Sequence, residues 1–146
     1  MHDMPGCKYT HMDREYSIED LAAFHGHLGP YIVLGYRIGR YAREYFCDDA
    51  FQMHAVVGCS GTPPQSCLAD GVQIGSGCTT GKRNLELRVS DSIACEFTSA
   101  EGKKMVIRPK PLKFPPRGED YFHQIEQLAV DMYRMDDTEL FEVSSQ

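Results

Sequence analysis

The chain reads as an α+β domain, an antiparallel sheet with helices packed mainly on one face. Three observations predict it. Apolar residues recur at helical spacing between residues 17 and 46, and the period falls to two from Asn84 to Pro109. Helical spacing then returns in "DYFHQIEQLAVDMYRM". Residues 1–16 are polar and mixed, an N-terminal arm ahead of one domain spanning 17–146.

Each element has its own signal. Ser17 followed by Asp20 forms a capping box, with Asp in place of Glu, and opens a short helix through Phe24. Pro30 suits the first turn of a second helix, which runs to about Phe46. On it Gly35, Gly39 and Ala42 make a stripe of small residues that permits close approach of another backbone. "FQMHAVVG" reads as a strand that ends at the Gly58–Gly61 turn. Thr62 ahead of Pro63-Pro64 reads as an N-cap with proline at a helix start, giving a third helix over 63–74, with Gly75, Gly77 and Gly81 halting it. "NLELRV", "SIACEF" and "KMVIRP" are three short strands, the last two joined by a turn at Glu101-Gly102. A proline-rich crossover leads to a final helix over about 119–135, with Tyr121, Ile125, Leu128, Ala129 and Met132 on its apolar face.

Composition narrows the function classes. The 146 residues are 42% hydrophobic and 25% charged, as in ordinary globular proteins. No apolar run is long enough to span a membrane, and no leader pattern opens the chain, so a cytoplasmic protein without a membrane partner is expected. A formal net charge of -6 argues against nucleic acid as a partner. The six cysteines then read as reduced thiols, available for metal binding or catalysis.

Two stretches could carry chemistry. In His25-Gly26-His27 an extended backbone would point both imidazoles to one side, where they could share an ion or shuttle protons. Two capping or surface histidines at a helix corner is the plainer alternative. In "TPPQSCLADGVQIGSGCTTGKRN", Cys67 and Asp70 fall at i and i+3 of the third helix, and Gln73 continues that face. Asp70 does not activate a thiol, but could accept a proton or orient a ligating histidine. Cys78 follows Gly75-Ser76-Gly77, which could fold it back toward that helix, and Lys82 with Arg83 could hold an anionic substrate group. Beside Lys82, Cys78 is expected to be the more reactive thiolate of the two. The alternative is a small buried cysteine and a turn with a solvated lysine. Cys59 is a rival ligand at a glycine-flanked strand end; Cys47 and Cys95 read as packing residues, and His54 and His123 as structural. Cys7 with His2 and His11 could take up metal adventitiously from the arm.

Together, "FHGHLGPYIVLGYRIG" and "PPQSCLADGVQIGSGCTTGKRNL" resemble the FmdE family, named for a component of molybdenum formylmethanofuran dehydrogenase. The resemblance covers roughly residues 17–110 and the last helix. It implies an α+β core, a tendency to dimerise and a cleft of histidine and cysteine able to hold a transition metal. Matched by position, the family's residues are His25, His27, Cys67, Asp70, Gln73, Cys78, Thr79, Lys82 and Asn84. Many relatives have Cys-Pro-Gly where this chain has Gly29-Pro30-Tyr31, which removes a candidate thiolate, and Gly-Lys-Gly-Asn where it has Gly81-Lys82-Arg83-Asn84. Some carry a C-terminal zinc-finger module; this chain is expected to be the core domain without it.

The resulting expectation is a metal-binding protein linked to one-carbon metabolism, either an enzyme or an accessory component. One transition-metal ion per chain, zinc, would be held by His25 or His27 with Cys67 or Cys78, leaving an open position. Asp70 would carry protons, Lys82 would anchor a polar or anionic small molecule, and Cys78 could take part in catalysis. A homodimer is expected, with the small-residue stripe as its contact. The alternatives are a non-catalytic metal carrier or assembly factor for a larger oxidoreductase, and a thiol-redox protein using Cys67 and Cys78.

Overall fold

The computed structural model describes residues 4–10 and 12–145. His2 and His11, offered with Cys7 as an adventitious metal set, lie outside the described residues. Helix α1 (Ile18–His25) carries the expected capping box: Ser17 accepts from Asp20 N–H, and the Asp20 carboxylate accepts from Ser17 N–H. Helix α2 (Pro30–Tyr45) starts at the proline. Strand β1 (Met53–Cys59) leads through helix α3 (Cys67–Ser76) to β2 (Leu85–Val89). Strands β3 (Ala94–Ser99) and β4 (Lys104–Pro109) form a hairpin. Helix α4 (Tyr121–Arg134), the short α5 (Asp137–Leu140) and β5 (Phe141–Ser145) complete the chain.

The strands lie in the order β2-β1-β3-β4-β5. The α+β class holds, but the sheet is mixed rather than antiparallel, because β1 and β2 run parallel. The reason is the helix between them: α3 carries the chain back before β2 begins, as a parallel pair requires. Ala55, Val57, Cys59, Cys95, Phe97 and Ile107 are buried on one face, while His54, Glu86 and Arg88 on the other are exposed. The sequence reading misses α5 and β5. Only Phe141 of β5 is buried, so the strand has no alternating apolar signal.

The third helix starts four residues later than expected and runs through Gly75. Residues 62–66 instead form turns, with Ser66 N–H donating to Thr62 O and Cys67 N–H to Pro64 O; the Pro63-Pro64 bond is cis. Gly77, in the left-handed region at φ 83°, ends the helix. Gly75 survives inside it because its missing side chain is needed there. A Cβ on Gly75 would meet Tyr36 O at 2.3 Å, and one on Gly71 would meet Ile32 O at 2.2 Å. From the other helix, a Cβ on Gly35 would meet Leu68 O at 2.3 Å and one on Gly39 would meet Ser76 N at 2.7 Å. The two glycine pairs let α2 and α3 pack backbone to backbone. The small-residue stripe is therefore buried within the chain and offers no surface for a homodimer.

Arg37, 4% exposed, ties the C-terminal elements to α2. Its guanidinium donates to Met132 O and Tyr133 O at the end of α4 and to the Asp137 carboxylate. A buried cation on helix-end carbonyls is favoured by the helix dipole as well as by hydrogen bonding. The end of the N-terminal arm is fixed similarly: Arg43 donates to Arg14 O, and Tyr16 N–H donates to the Tyr36 hydroxyl.

Candidate functional site

The two histidines meet, though not by the extended backbone expected of them. His25 is the last residue of α1, and Gly26 caps the helix in the left-handed region at φ 100°. That reversal, open to glycine at little cost, brings the His27 ring back to 5.0 Å from the His25 ring, centroid to centroid. His25 is half-buried and His27 exposed. His25 Nδ1 lies 2.7 Å from Asp70 Oδ2 across the α1–α3 corner. An Nδ1–H donated to that carboxylate leaves Nε2 as a lone pair, the arrangement that carboxylates impose on ligating histidines.

Cys67 stands at the first turn of α3, one turn from Asp70 and half-buried. Burial and then the Asp70 carboxylate push its thiol above the ordinary value. Gly29, where many relatives have cysteine, is adjacent to this corner. A Cβ on Gly29 would lie 3.2 Å from His27 Cε1 and 3.7 Å from His27 Nδ1. The residue this chain lacks would thus have faced the His27 ring.

Cys78 and Lys82 are elsewhere. They follow the C-terminal end of α3, roughly 15 Å along the helix axis from Cys67. Cys78 is fully buried and its Sγ contacts Met53 O at 3.4 Å. Burial raises its pKa, outweighing the lowering by the Ser76 hydrogen bond and by Lys82. The expectation that Cys78 is the more reactive thiol is therefore reversed, since accessibility and burial both favour Cys67. The same separation removes the thiol-redox reading, because two cysteines more than about 7 Å apart cannot form a disulfide without backbone movement. Lys82 Nζ donates to Gly77 O at 2.6 Å and Thr79 Oγ1 at 3.0 Å, and sits over the Phe51 ring. Burial lowers its pKa. It caps a helix end and does not converge with Asp70 on a common site.

The second half of the motif thus has a structural explanation. Gln73 Oε1 accepts from Thr80 N–H, and Asn84 Oδ1 accepts from Thr79 N–H. Asn84 Nδ2 donates to Ala50 O and Met53 O. With Lys82 these side chains brace the loop 77–84 against the start of β1. Cys59, the rival ligand, is fully buried in the core beside Cys95. Among the described residues no three His, Cys, Asp or Glu side chains converge as a metal-holding group. Two grooves, of about 700 and 340 Å³, are lined respectively by residues such as Tyr9, Arg14 and Phe51 and by Tyr31, Arg108 and Phe114; none of His25, His27, Cys67 or Asp70 lines either. No helix among the described residues is long and apolar enough to cross a membrane.

Fold and corner together define a small α+β domain that presents a paired histidine beside a carboxylate at the meeting of two helices. The chain belongs to the FmdE family: the family model, described as "FmdE, Molybdenum formylmethanofuran dehydrogenase operon", matches residues 24–142. A solved structure of an FmdE-like protein of tungsten formylmethanofuran dehydrogenase, from Syntrophus aciditrophicus, shares the fold. Its TM-score is 0.61 at 19% identity, over 88% of this chain and 69% of that one. A probable S-adenosyl-L-methionine-binding protein of Archaeoglobus fulgidus is 38% identical over 69 residues, which is 42% of this chain and 18% of that protein. The chain therefore spans less than a fifth of the length of that curated relative.

Proposed function

We propose that this protein is an accessory component of a formylmethanofuran dehydrogenase, a larger oxidoreductase, and holds one zinc ion loosely on His25 and His27. The observation that carries this reading is the 2.7 Å contact between His25 Nδ1 and Asp70, which frees Nε2 beside the His27 ring. Two imidazoles on one tetrahedral zinc have ring centres roughly 5 Å apart, given Zn–N bonds of about 2.0–2.1 Å. The observed 5.0 Å fits that pair. A third protein ligand is not assembled among the described residues, so the fit is that of a half-site. Its coordination would be completed from outside, by a partner protein or a small polar molecule. Bound there, zinc would supply a positive charge and an open coordination position.

That geometry favours a non-catalytic carrier or accessory role over an enzyme, since Lys82 and Cys78 do not reach the corner. The test is calorimetric titration with zinc. The parent should bind about one ion weakly, with a dissociation constant in the micromolar range or above. His27→Ala should weaken it at least tenfold. Gly29→Cys should tighten it by about 10–100-fold, the size of effect that ligand-shell changes produce. The Gly29 backbone, at φ -132°, accepts any side chain, and the exposed His27 ring can yield the few tenths of an ångström required. No zinc uptake by the parent at about 1 mM, or equal affinity in His27→Ala, overturns the proposal.

A further inference from the structure

Strand β2 is an edge of the sheet and, among the described residues, pairs only with β1. Its inner partners fix which backbone groups face outward. Asn84 O accepts from Ala55 N–H, and Ser90 N–H donates to Cys59 O, so the even-numbered residues address β1. Leu85, Leu87 and Val89 therefore direct both N–H and C=O to the open edge, because alternate residues of a strand point their backbone groups to opposite sides. Leu87 is 46% and Val89 75% exposed. Glu86 and Arg88, on the opposite face, are exposed and form an ion pair at 3.3 Å. Such an edge is a template for another strand.

We propose that this edge is a self-association surface, on which a second copy of the chain docks its own β2 antiparallel in a register centred on Leu87. The sequence "LELRV" is self-complementary in that register alone. Leu87 faces Leu87 of the second copy, Leu85 faces Val89, and Glu86 faces Arg88 on both sides of the two-fold axis. The outward-facing residues become hydrogen-bonded pairs, giving about six main-chain bonds. Glu86 and Arg88 fall at the non-hydrogen-bonded pairs, where side chains come closest. Recentring by one residue sets Glu86 against Glu86, or Arg88 against Arg88, and like charges directly opposite are destabilising. Arg83 and Asp91, just beyond the two strand ends, extend the same complementarity. A five-residue edge covers less than the roughly 1,200 Å² of a standard interface, so the dimer is weak and reversible.

Sedimentation velocity of the full chain decides this, from about 10 µM to about 1 mM, with chelator present so that metal bridging plays no part. The parent should show a concentration-dependent monomer–dimer equilibrium. Glu86→Arg and Arg88→Glu should each weaken it about tenfold. The equimolar mixture of the two should associate again, as should the double variant. Leu87→Pro should abolish dimerisation while the fold, followed by circular dichroism, persists, because the lost N–H makes no bond within the chain. A parent that stays monomeric throughout overturns the proposal. So do single charge variants that dimerise like the parent, or folded variants whose mixture fails to recover.

Discussion

Gly71→Ala tests the contact that builds the candidate site. In an exposed helix this change should stabilise, by about 1 kcal/mol of helix propensity. Here the new methyl would lie 2.2 Å from Ile32 O, 2.5 Å from Tyr36 N and 2.8 Å from Gly35 C. The first is roughly 1 Å short of an ordinary contact, and the obstacle is backbone rather than a side chain that can rotate away. Overpacking costs about 1–3 kcal/mol where side chains can adjust, and a helix must move here, so the upper end or more applies. Net of propensity, a loss of about 2 kcal/mol is expected. For a domain of this size that lowers the melting temperature by about 4–8 °C. Asp70 immediately precedes Gly71, so separating the helices also draws its carboxylate from His25, and zinc affinity should fall with stability. Thermal unfolding by circular dichroism reads the first effect and calorimetry the second. A melting temperature unchanged or raised would refute the backbone-contact argument.

Two further outcomes follow from the cysteines. In the folded, metal-free protein a maleimide should modify exposed Cys7 and half-buried Cys67 well before buried Cys78, Cys59 and Cys95; peptide mapping that finds Cys78 labelled as fast as Cys67 refutes the assigned burial. Cys95 is pushed up to about 12, first by burial and then by neighbouring Cys59. Its unfolded value is about 8.5, so the native state retains a proton that the unfolded chain releases, and stability falls as pH rises from about 9 to 12, by up to about 1.4 kcal/mol per unit. Cys95→Ala should flatten the decline of melting temperature between about pH 9 and 11, and an equal slope in parent and variant contradicts the assignment.

Local grammar made much of this fold legible. The Ser17–Asp20 box, Pro30 at a helix start and the period-two runs after Asn84 each act over a few residues, and each element they mark is present. Strand direction is not local. Nothing within "NLELRV" distinguishes parallel from antiparallel pairing; only the intervening helix does. The glycines mislead in a related way. Gly71 and Gly75 read as helix breakers, yet their four-residue spacing matches that of Gly35 and Gly39 on α2, and the match is the signal of an intrachain contact. Of the proposed site, the Cys67–Asp70 spacing was visible and the His25–Asp70 contact was not, since it joins residues 45 apart. The motif from Gln73 to Asn84 is dense in polar residues, which resemble functional groups in sequence. In the structure they satisfy the backbone of their own loop.

The exchange of cysteine for glycine at position 29 bears on what kind of protein the proposed metal reading describes. A thiolate there would stand beside His27 and give zinc a third ligand, the number that catalytic sites keep. With Gly29, two imidazoles remain, one oriented by Asp70 and the other exposed. Affinity at such a pair depends on whatever supplies the remaining ligands, so uptake and release are coupled to binding of another molecule. An enzyme that must keep its metal through many turnovers gains nothing from that coupling. A carrier or accessory component does, because the ion is then held while the partner that completes its coordination is present and leaves with it. The Asp70 carboxylate serves the same end, holding the His25 ring ready through an unoccupied interval at the cost of one hydrogen bond.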